Sequence, residues 1–536
     1  QDDLPRYLAE NPARNTFFFL PLILGLIGLF FQYRYAPKDT FVVFLLFFMT
    51  GLAIILYLNQ PSTEPRERDY ASVGSFYAFA IWIGLGVAGI GQALQRFLKG
   101  KTTLVRGLSY AAVGVVCLFA VPVLMGRQGW DDHDRSHRTS ARDFGRNMML
   151  SCPPDAILVS DGDNDTYPMW YCQHVEGIRP DIRLVNSILA NSSWLIQPLY
   201  RKVYESEPFR FSLDARNYGG GKNEGVYVEN KIPQPVELRQ LLDFVNSDNP
   251  STKLMDASGE RISFFPSSSI KLTIDKEKML AGGLFTPEQV SRMPESLVWK
   301  LNGRNINKSQ LVMLDIIANN LEDRPVCFVS PYGHQDYLPS LAQSQMEGMV
   351  YRFVPFRNDN RHALDSRTNG MNVDRTYDLL VNRFEWGEIN TGKSELDPET
   401  RSWSEQARHQ YATLAMGLIA ERKQDSAVKA LDKGIFFFPD EVLAFNRNML
   451  IYAQAYMLCG EKEKGEDVLR RIAEGYEQNL RYYMSFPPKY RRSLQSETQE
   501  AVDVLGSVKY FADIYGLQEM SDRMATVFQA YNIQAD

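Results

Sequence analysis

The sequence is poor in the residues that usually announce a redox or metal site. Its 536 residues hold five cysteines and six histidines. No two cysteines stand in a CxxC spacing, no HExxH occurs, and zinc-ligand spacing is absent. Positive charge is not in excess. Lys and Arg number 58 against 64 Asp and Glu, a formal net charge of −6, which excludes the basic footprint of a nucleic-acid binder. The glycine stretch YGGGKNEG (218–225) lacks the spacing and the GK[ST] ending of a phosphate loop and carries no catalytic weight. Cys117 lies in an apolar run. In an oxidising compartment Cys152 and Cys172 could pair, with buried free thiols the favoured alternative.

What the first 126 residues lack is charge inside long apolar runs. The runs are Phe17–Phe31, Phe41–Leu58, Phe76–Leu94 and Gly107–Gly126. Each is close to the roughly 20 residues that cross a ~30 Å hydrocarbon layer as a helix. The expectation is four transmembrane helices over 16–126, with a large water-soluble region after them. Arg34 and Lys38 lie between the first two runs, and Arg96, Lys99, Lys101 and Arg106 between the last two. Basic loops stay on the cytoplasmic side. Residues 1–15, the 59–75 loop and everything after 126 are therefore expected on the opposite face, the periplasm of a bacterium, with the chain in its inner membrane. The opening, QDDLPRYLAENPARN, reads as an inter-helix loop, so a longer polypeptide with more spans upstream is expected, and proteolytic processing is the alternative. The spans carry no buried charge and no paired broken helices, which argues against a transporter.

After a membrane-exit linker (127–150), residues 151–390 read as an α/β domain with a mainly parallel sheet. AILVS (156–160) is a strand entered through a Pro-Pro turn. A polar loop, DGDNDT, follows, then a helix whose first turn holds Pro168. DIRLVN (181–186) is the next strand, with a helix beginning near Ser192. Lys308–Leu321 reads as a helix, PVCFVS (325–330) as a strand, a helix follows Asp336, and VYRFVPF (350–356) is a further strand. Residues 404–536 read as helices only. LAMGLIAERKQDSAVKAL (414–431) aligns with YAQAYMLCGEKEKGEDVL (452–469) at a period of 38. Ala415 matches Ala453, Ala427 matches Gly465 and Leu431 matches Leu469. This pattern is that of a tetratricopeptide-like (TPR-like) helix-turn-helix array, which either binds a protein partner or braces the α/β domain.

Three charged clusters are candidate sites. Asp161, Asp163, Asn164 and Asp165 sit just past the carboxyl end of a predicted parallel strand, the default ligand edge of an open α/β sheet. Three carboxylates in five residues suit a divalent cation or a substrate. Equally, they suit a helix-start cap. The second cluster, WDDHDRSHR (130–138), carries Asp131, Asp132, His133, Asp134 and Arg135 immediately after the last run. Arginine there can hold phosphate bidentately, or the charges pair among themselves as an interfacial anchor. The third is RERDY (66–70), where Arg66 and Arg68 could clasp a lipid phosphate or pair locally.

Taken together, YLNQPSTEPRERDYASVGSFYAFAIWIGLG, WDDHDRSHRTSARDFGRNMMLSC and DAILVSDGDNDTYPMWYCQHVEGIRPDIRLVN closely resemble the C-terminal half of a Bacteroidota membrane family. That family was long labelled a domain of unknown function, DUF2723, and is now grouped with protein O-mannosyltransferase-like glycosyltransferases. The resemblance covers residues 50–200 strongly and 320–360 more loosely. It implies a multi-span glycosyltransferase of the type called GT-C, which passes a sugar from a polyprenyl-phosphate carrier to a protein or glycan acceptor on the non-cytoplasmic side. Its partners would be membrane lipid, the lipid-linked sugar donor and the acceptor. The essential acid of such enzymes lies in an outer loop near the start of the full chain, so no catalytic base is carried onto any position here. The competing expectation is a membrane-anchored interaction module, an α/β domain plus repeats that recruits a protein partner without catalysis of its own.

Overall fold

The computed structural model describes residues 4–531 except 12, 62–67, 256–258, 331, 340–342, 358–369 and 394–395. The chain forms two compact units, Arg6–Ser136 and His137–Asp536, the latter with Gln1–Pro5.

In the first unit three helices are long and apolar enough to cross a membrane: α2 (Pro37–Leu58), α3 (Asp69–Phe97) and α4 (Thr103–Gln128). They make the chain a membrane protein. The first apolar run gives a shorter helix, α1 (Leu20–Tyr35). It starts three residues later than the apolar pattern because Phe18 and Phe19 adopt left-handed φ angles of 51° and 57°. Small residues set the α1–α3 packing. A Cβ on Gly28 would stand 1.7 Å from the Trp82 carbonyl oxygen, and one on Gly86 2.1 Å from that of Leu24. Trp82 Nε1 donates to Gln32 Oε1 at 2.7 Å, so the indole N–H is satisfied within the bundle. Helix α4 carries Pro122 inside a wide π-turn, Phe119–Val123, where the missing N–H is accommodated.

The second unit is built on a five-stranded sheet of order β11-β12-β10-β1-β2. Its strands are β1 (Ile157–Ser160), β2 (Arg183–Asn186), β10 (Val326–Phe328), β11 (Ser344–Glu347) and β12 (Val350–Phe353). Strands β2, β1 and β10 are parallel. Strand β12 is antiparallel to β10 and to β11, so the sheet is mixed rather than mainly parallel. The cause is local. Gly348 has φ +61° and closes a tight hairpin from Glu347 to Val350, leaving no room for the crossover a parallel pair needs. The helix expected after Asp336 falls partly outside the described residues, at 340–342; the described part makes a turn at Tyr337 and a bend at Leu338.

Side chains alternate across this sheet into two cores. Leu158, Leu184 and Cys327 join one with α5 (Ser140–Ser151), α6 (Asp163–His174) and the C-terminal helices. Ile157, Val159, Val185, Val326 and Phe328 join the other, with α8 (Lys308–Asn320). Helices thus cover both faces, and parallel strands buried on both sides read as unbroken apolar runs. Between β2 and β10 the chain builds two small sheets, β5-β6-β3-β9 and β4-β7-β8, around α7 (Leu238–Asn246). Their strands, β3 (Gly225–Val228), β4 (Val236–Glu237), β5 (Lys253–Met255), β6 (Arg261–Phe265), β7 (Ser269–Thr273), β8 (Ser296–Lys300) and β9 (Asn305–Asn307), are too short to show a clear period.

The C-terminal helices pair as hairpins: α9 (Pro398–Ala420) with α10 (Gln424–Phe437), α11 (Met449–Leu458) with α12 (Lys462–Ser485), and α13 (Gln495–Tyr515) with α14 (Gln518–Ala530). The repeat-matched residues Ala415, Ala453, Ala427, Leu431 and Leu469 are all fully buried. A Cβ on Gly465 would stand 3.1 Å from the Ala453 carbonyl, so the small residue sets that approach. Cys152, Cys172 and Cys327 are buried free thiols. The Cys172 thiol donates to the Arg142 carbonyl at 3.2 Å, while the Cys152 thiol, pushed up by burial, neighbours Cys327.

Candidate functional site

The three parallel strands end at one edge. Strand β1 leads through α6 to β2 on one side, and its other neighbour, β10, is reached only after the inserted sheets. The strand order therefore reverses between β1 and β10, and the crevice outside the carboxyl ends at such a reversal is where open α/β sheets bind ligands. Asp161 follows β1 there, and His334 follows β10.

The acidic segment is not a loop, as the sequence suggested. Helix α6 begins at Asp163, five residues ahead of Pro168, so Asp163, Asn164 and Asp165 form its first turn. The reason is Asp165, whose carboxylate accepts the backbone N–H groups of Gly162 at 2.9 Å and Asp161 at 3.2 Å. Burial pushes the Asp165 carboxyl up from its ordinary value, against the backbone donors that pull it down. Thr166 fastens the start of the helix to the sheet. Its hydroxyl reaches the Gly162 carbonyl at 2.6 Å and Ser160 Oγ at 2.7 Å, and accepts from Asn186 Nδ2 at 2.8 Å. Asn186 Oδ1 in turn takes the N–H groups of Ile188 and Leu189.

Asp161 is the group this framework presents. Ser187 Oγ donates to its Oδ1 at 2.7 Å. His334 Nε2 lies 3.0 Å from the same oxygen, with the histidine side chain 8% exposed and that of Asp161 33% exposed. The approach is out of hydrogen-bonding line, so Nε2 is buried without a hydrogen bond among the described residues. On the other side of the ring, Nδ1 is 2.6 Å from Tyr337 Oη. Burial and the Asp161 charge push the Tyr337 phenol up, so it keeps its proton. With the phenol as donor, the imidazole proton stands on Nε2, beside the carboxylate. Asp161 Oδ2, Asp163 and Asn164 have no hydrogen-bond partner among the described residues. The edge thus offers a fixed carboxylate with one oxygen held and one free.

The structure brings Asp161, Asp163, Asn164 and Asp165 together on one turn. Among the described residues no three of His, Cys, Asp or Glu converge as a metal ion requires; Asp165 is spent on backbone N–H groups. His334, Tyr337 and Ser187 were missed. The signal was present, since SPYGHQDY (330–337) follows β10 as DGDNDTY follows β1.

Asp131–Arg135 of the second cluster lie in the first unit, and His137 and Arg138 in the second. His133 Nδ1 lies 2.7 Å from Asp132 Oδ1 and 2.8 Å from the Gly129 carbonyl, and the Asp132 hydrogen bond raises its pKa. Arg135 donates to the Asp132 carbonyl at 2.8 Å, and Asp134 Oδ1 accepts the Ser136 N–H. Asp131 Oδ1 accepts the Asp132 N–H at 3.1 Å. His133 thus pairs with a charged neighbour, while Arg135, Asp131 and Asp134 bond to backbone groups. In the third cluster Arg66 lies outside the described residues. Arg68 precedes a single 3-10 turn, Asp69–Ser72.

Residues 141–375 match the model of the family described as TMEM260-associated domain 2. The matched range contains α5, the parallel strands and the carboxyl edge. Over 124 residues the chain is 26% identical to protein O-mannosyl-transferase TMEM260 of Mus musculus. The match covers 23% of this chain and 17% of that relative, so the chain spans far less than two thirds of the relative's length. No solved structure matches it.

Proposed function

We propose that this chain is the C-terminal part of a membrane glycosyltransferase of GT-C type, which moves a sugar from a polyprenyl-phosphate carrier to a protein or glycan acceptor. The observation that carries this is the likeness of the α/β region to a domain associated with TMEM260, whose mouse representative is named a protein O-mannosyl-transferase. Helix α1 is then a fourth span, and the basic loops support a second unit outside the cytoplasm. The catalytic base lies elsewhere in the full enzyme. The second unit presents the acceptor, with Asp161 Oδ2 receiving a hydrogen bond from an acceptor hydroxyl while Ser187 and His334 fix the carboxylate.

Replacing Asp161 by Asn in the full-length protein in its membranes tests this. The expected result is a loss of transfer from a labelled lipid-linked sugar of about 10- to 100-fold, the worth of one charge-assisted hydrogen bond, at unchanged melting temperature. Undiminished transfer overturns the acceptor role.

One feature favours the interaction-module reading. A groove of about 540 Å³ between α10 and α12 is lined by Ile435, Phe436, Tyr456 and Val468, with Lys464 held to Asp432 at 2.8 Å. A protein partner captured through Phe436 and lost in Phe436→Ala, with transfer intact, assigns that groove to recruitment.

A further inference from the structure

Three segments form the rim of the sheet's carboxyl edge: 161–167, 187–194 and 332–337. Contacts tie them together, since Ser187 Oγ and His334 Nε2 both meet Asp161 Oδ1. Their composition is one-sided. They contain Asp161, Asp163, Asp165 and Asp336 and not one lysine or arginine. Carboxyl edges that take nucleotides or phosphates do so with glycine-rich turns and cations. These segments offer a phosphate no cation of their own, and Lys308, beside the rim-bound Ser309, is committed to Glu224. The same rim holds exposed aromatic rings: Trp194 is 58% exposed, Tyr167 51% and Tyr332 38%. Tyr167 is backed by Trp170, with ring centroids 5.5 Å apart. Exposed rings beside uncommitted carboxylate and amide groups match a ligand with apolar C–H faces and many neutral hydroxyls. The second indication is His334 Nε2, which is buried 3.0 Å from Asp161 Oδ1 and has no hydrogen bond among the described residues.

We propose that this edge binds a neutral carbohydrate ring, through hydroxyl hydrogen bonds to Asp161, Asp163 and Asn164 and stacking on Trp194 or Tyr167. The proposal rests on reading the edge as acceptor-facing and sharpens it: the acceptor, or the product, is recognised by a sugar it already bears.

Saturation-transfer NMR on the full chain in detergent, with methyl α-mannopyranoside, methyl β-glucopyranoside and methyl β-galactopyranoside as probes, tests it. At least one is expected to bind, and the matching sugar phosphate to bind more weakly. Asp163→Asn and Trp194→Ala, both at exposed positions, should each weaken binding about fivefold or more, with Asp161→Asn as the third variant. No binding by any probe, or binding indifferent to all three variants, overturns the proposal. The transfer assay separates the two readings. Transfer lost in Asp161→Asn without sugar binding refutes the carbohydrate ligand alone. Sugar binding with transfer intact in Asp161→Asn refutes the acceptor role alone.

Discussion

At the scale of single residues, burial and donors decide what each carboxylate can do. Asp165 and Asp161 are four positions apart, yet one is consumed by backbone N–H groups and the other keeps an oxygen free. Sequence spacing showed the acidic cluster but not this division of labour, which depends on where α6 starts. Nor did it single out His334: SPYGHQDY follows its strand as DGDNDTY follows β1, but the sequence alone does not pair those two strands. Asp315 is a third case. It is buried in α8, accepting from the Ser212 and Leu213 N–H groups, Tyr218 Oη and Asn319 Nδ2. Burial outweighs these donors and pushes its carboxyl up to about 6. The folded protein then holds this proton more tightly than the unfolded chain, whose aspartates titrate near 4. The associated stability is fully present below about pH 4 and is lost as pH rises through about 6, on the order of 2–3 kcal/mol. Thermal melts of the second unit should show that fall between pH 4 and 6, and Asp315→Asn should flatten it.

At the scale of elements, the strands buried on both faces were legible from the apolar stretches AILV and LV, although Ser160, Arg183 and Asn186 at their ends are buried too. Helix boundaries and strand directions were not. Pro168 looked like a first-turn proline, whereas it lies inside α6, one turn beyond the Asp165 cap. Its carbonyl region is the floor on which α5 rests. A Cβ on Gly145 would stand 2.7 Å from the Pro168 carbonyl carbon and 2.9 Å from the Met169 nitrogen. Gly145→Ala is therefore expected to destabilise the unit by about 1–3 kcal/mol. Gly475, within α12, has nothing within 4 Å of its added carbon, and Gly475→Ala should stabilise by about 1 kcal/mol. Paired chemical-denaturation curves would read the opposite signs.

At the scale of the whole molecule, the repeat and the α/β pattern suggested separate regions, yet one apolar core runs through both. Trp386 packs between Phe144 of α5 and Phe438 beyond α10, at centroid distances of 5.1 and 5.2 Å, and donates to Tyr411 Oη at 3.0 Å. Periodicity identifies elements but not which of them share a core. The segment from His137 onward is expected to unfold in one cooperative transition, followed in parallel by near-ultraviolet circular dichroism and by helix content. Two resolved transitions would mean that the α/β part and the hairpins are stable apart. The five-stranded sheet has a further consequence. Its two outermost strands, β2 and β11, are buried along their whole length. On the β2 side the Arg183 guanidinium donates to the carbonyls of Pro198, Arg201 and Ser206. Neither margin presents an open ladder to a passing chain. Copies crowded onto one membrane can therefore brush past one another without strand addition to this sheet.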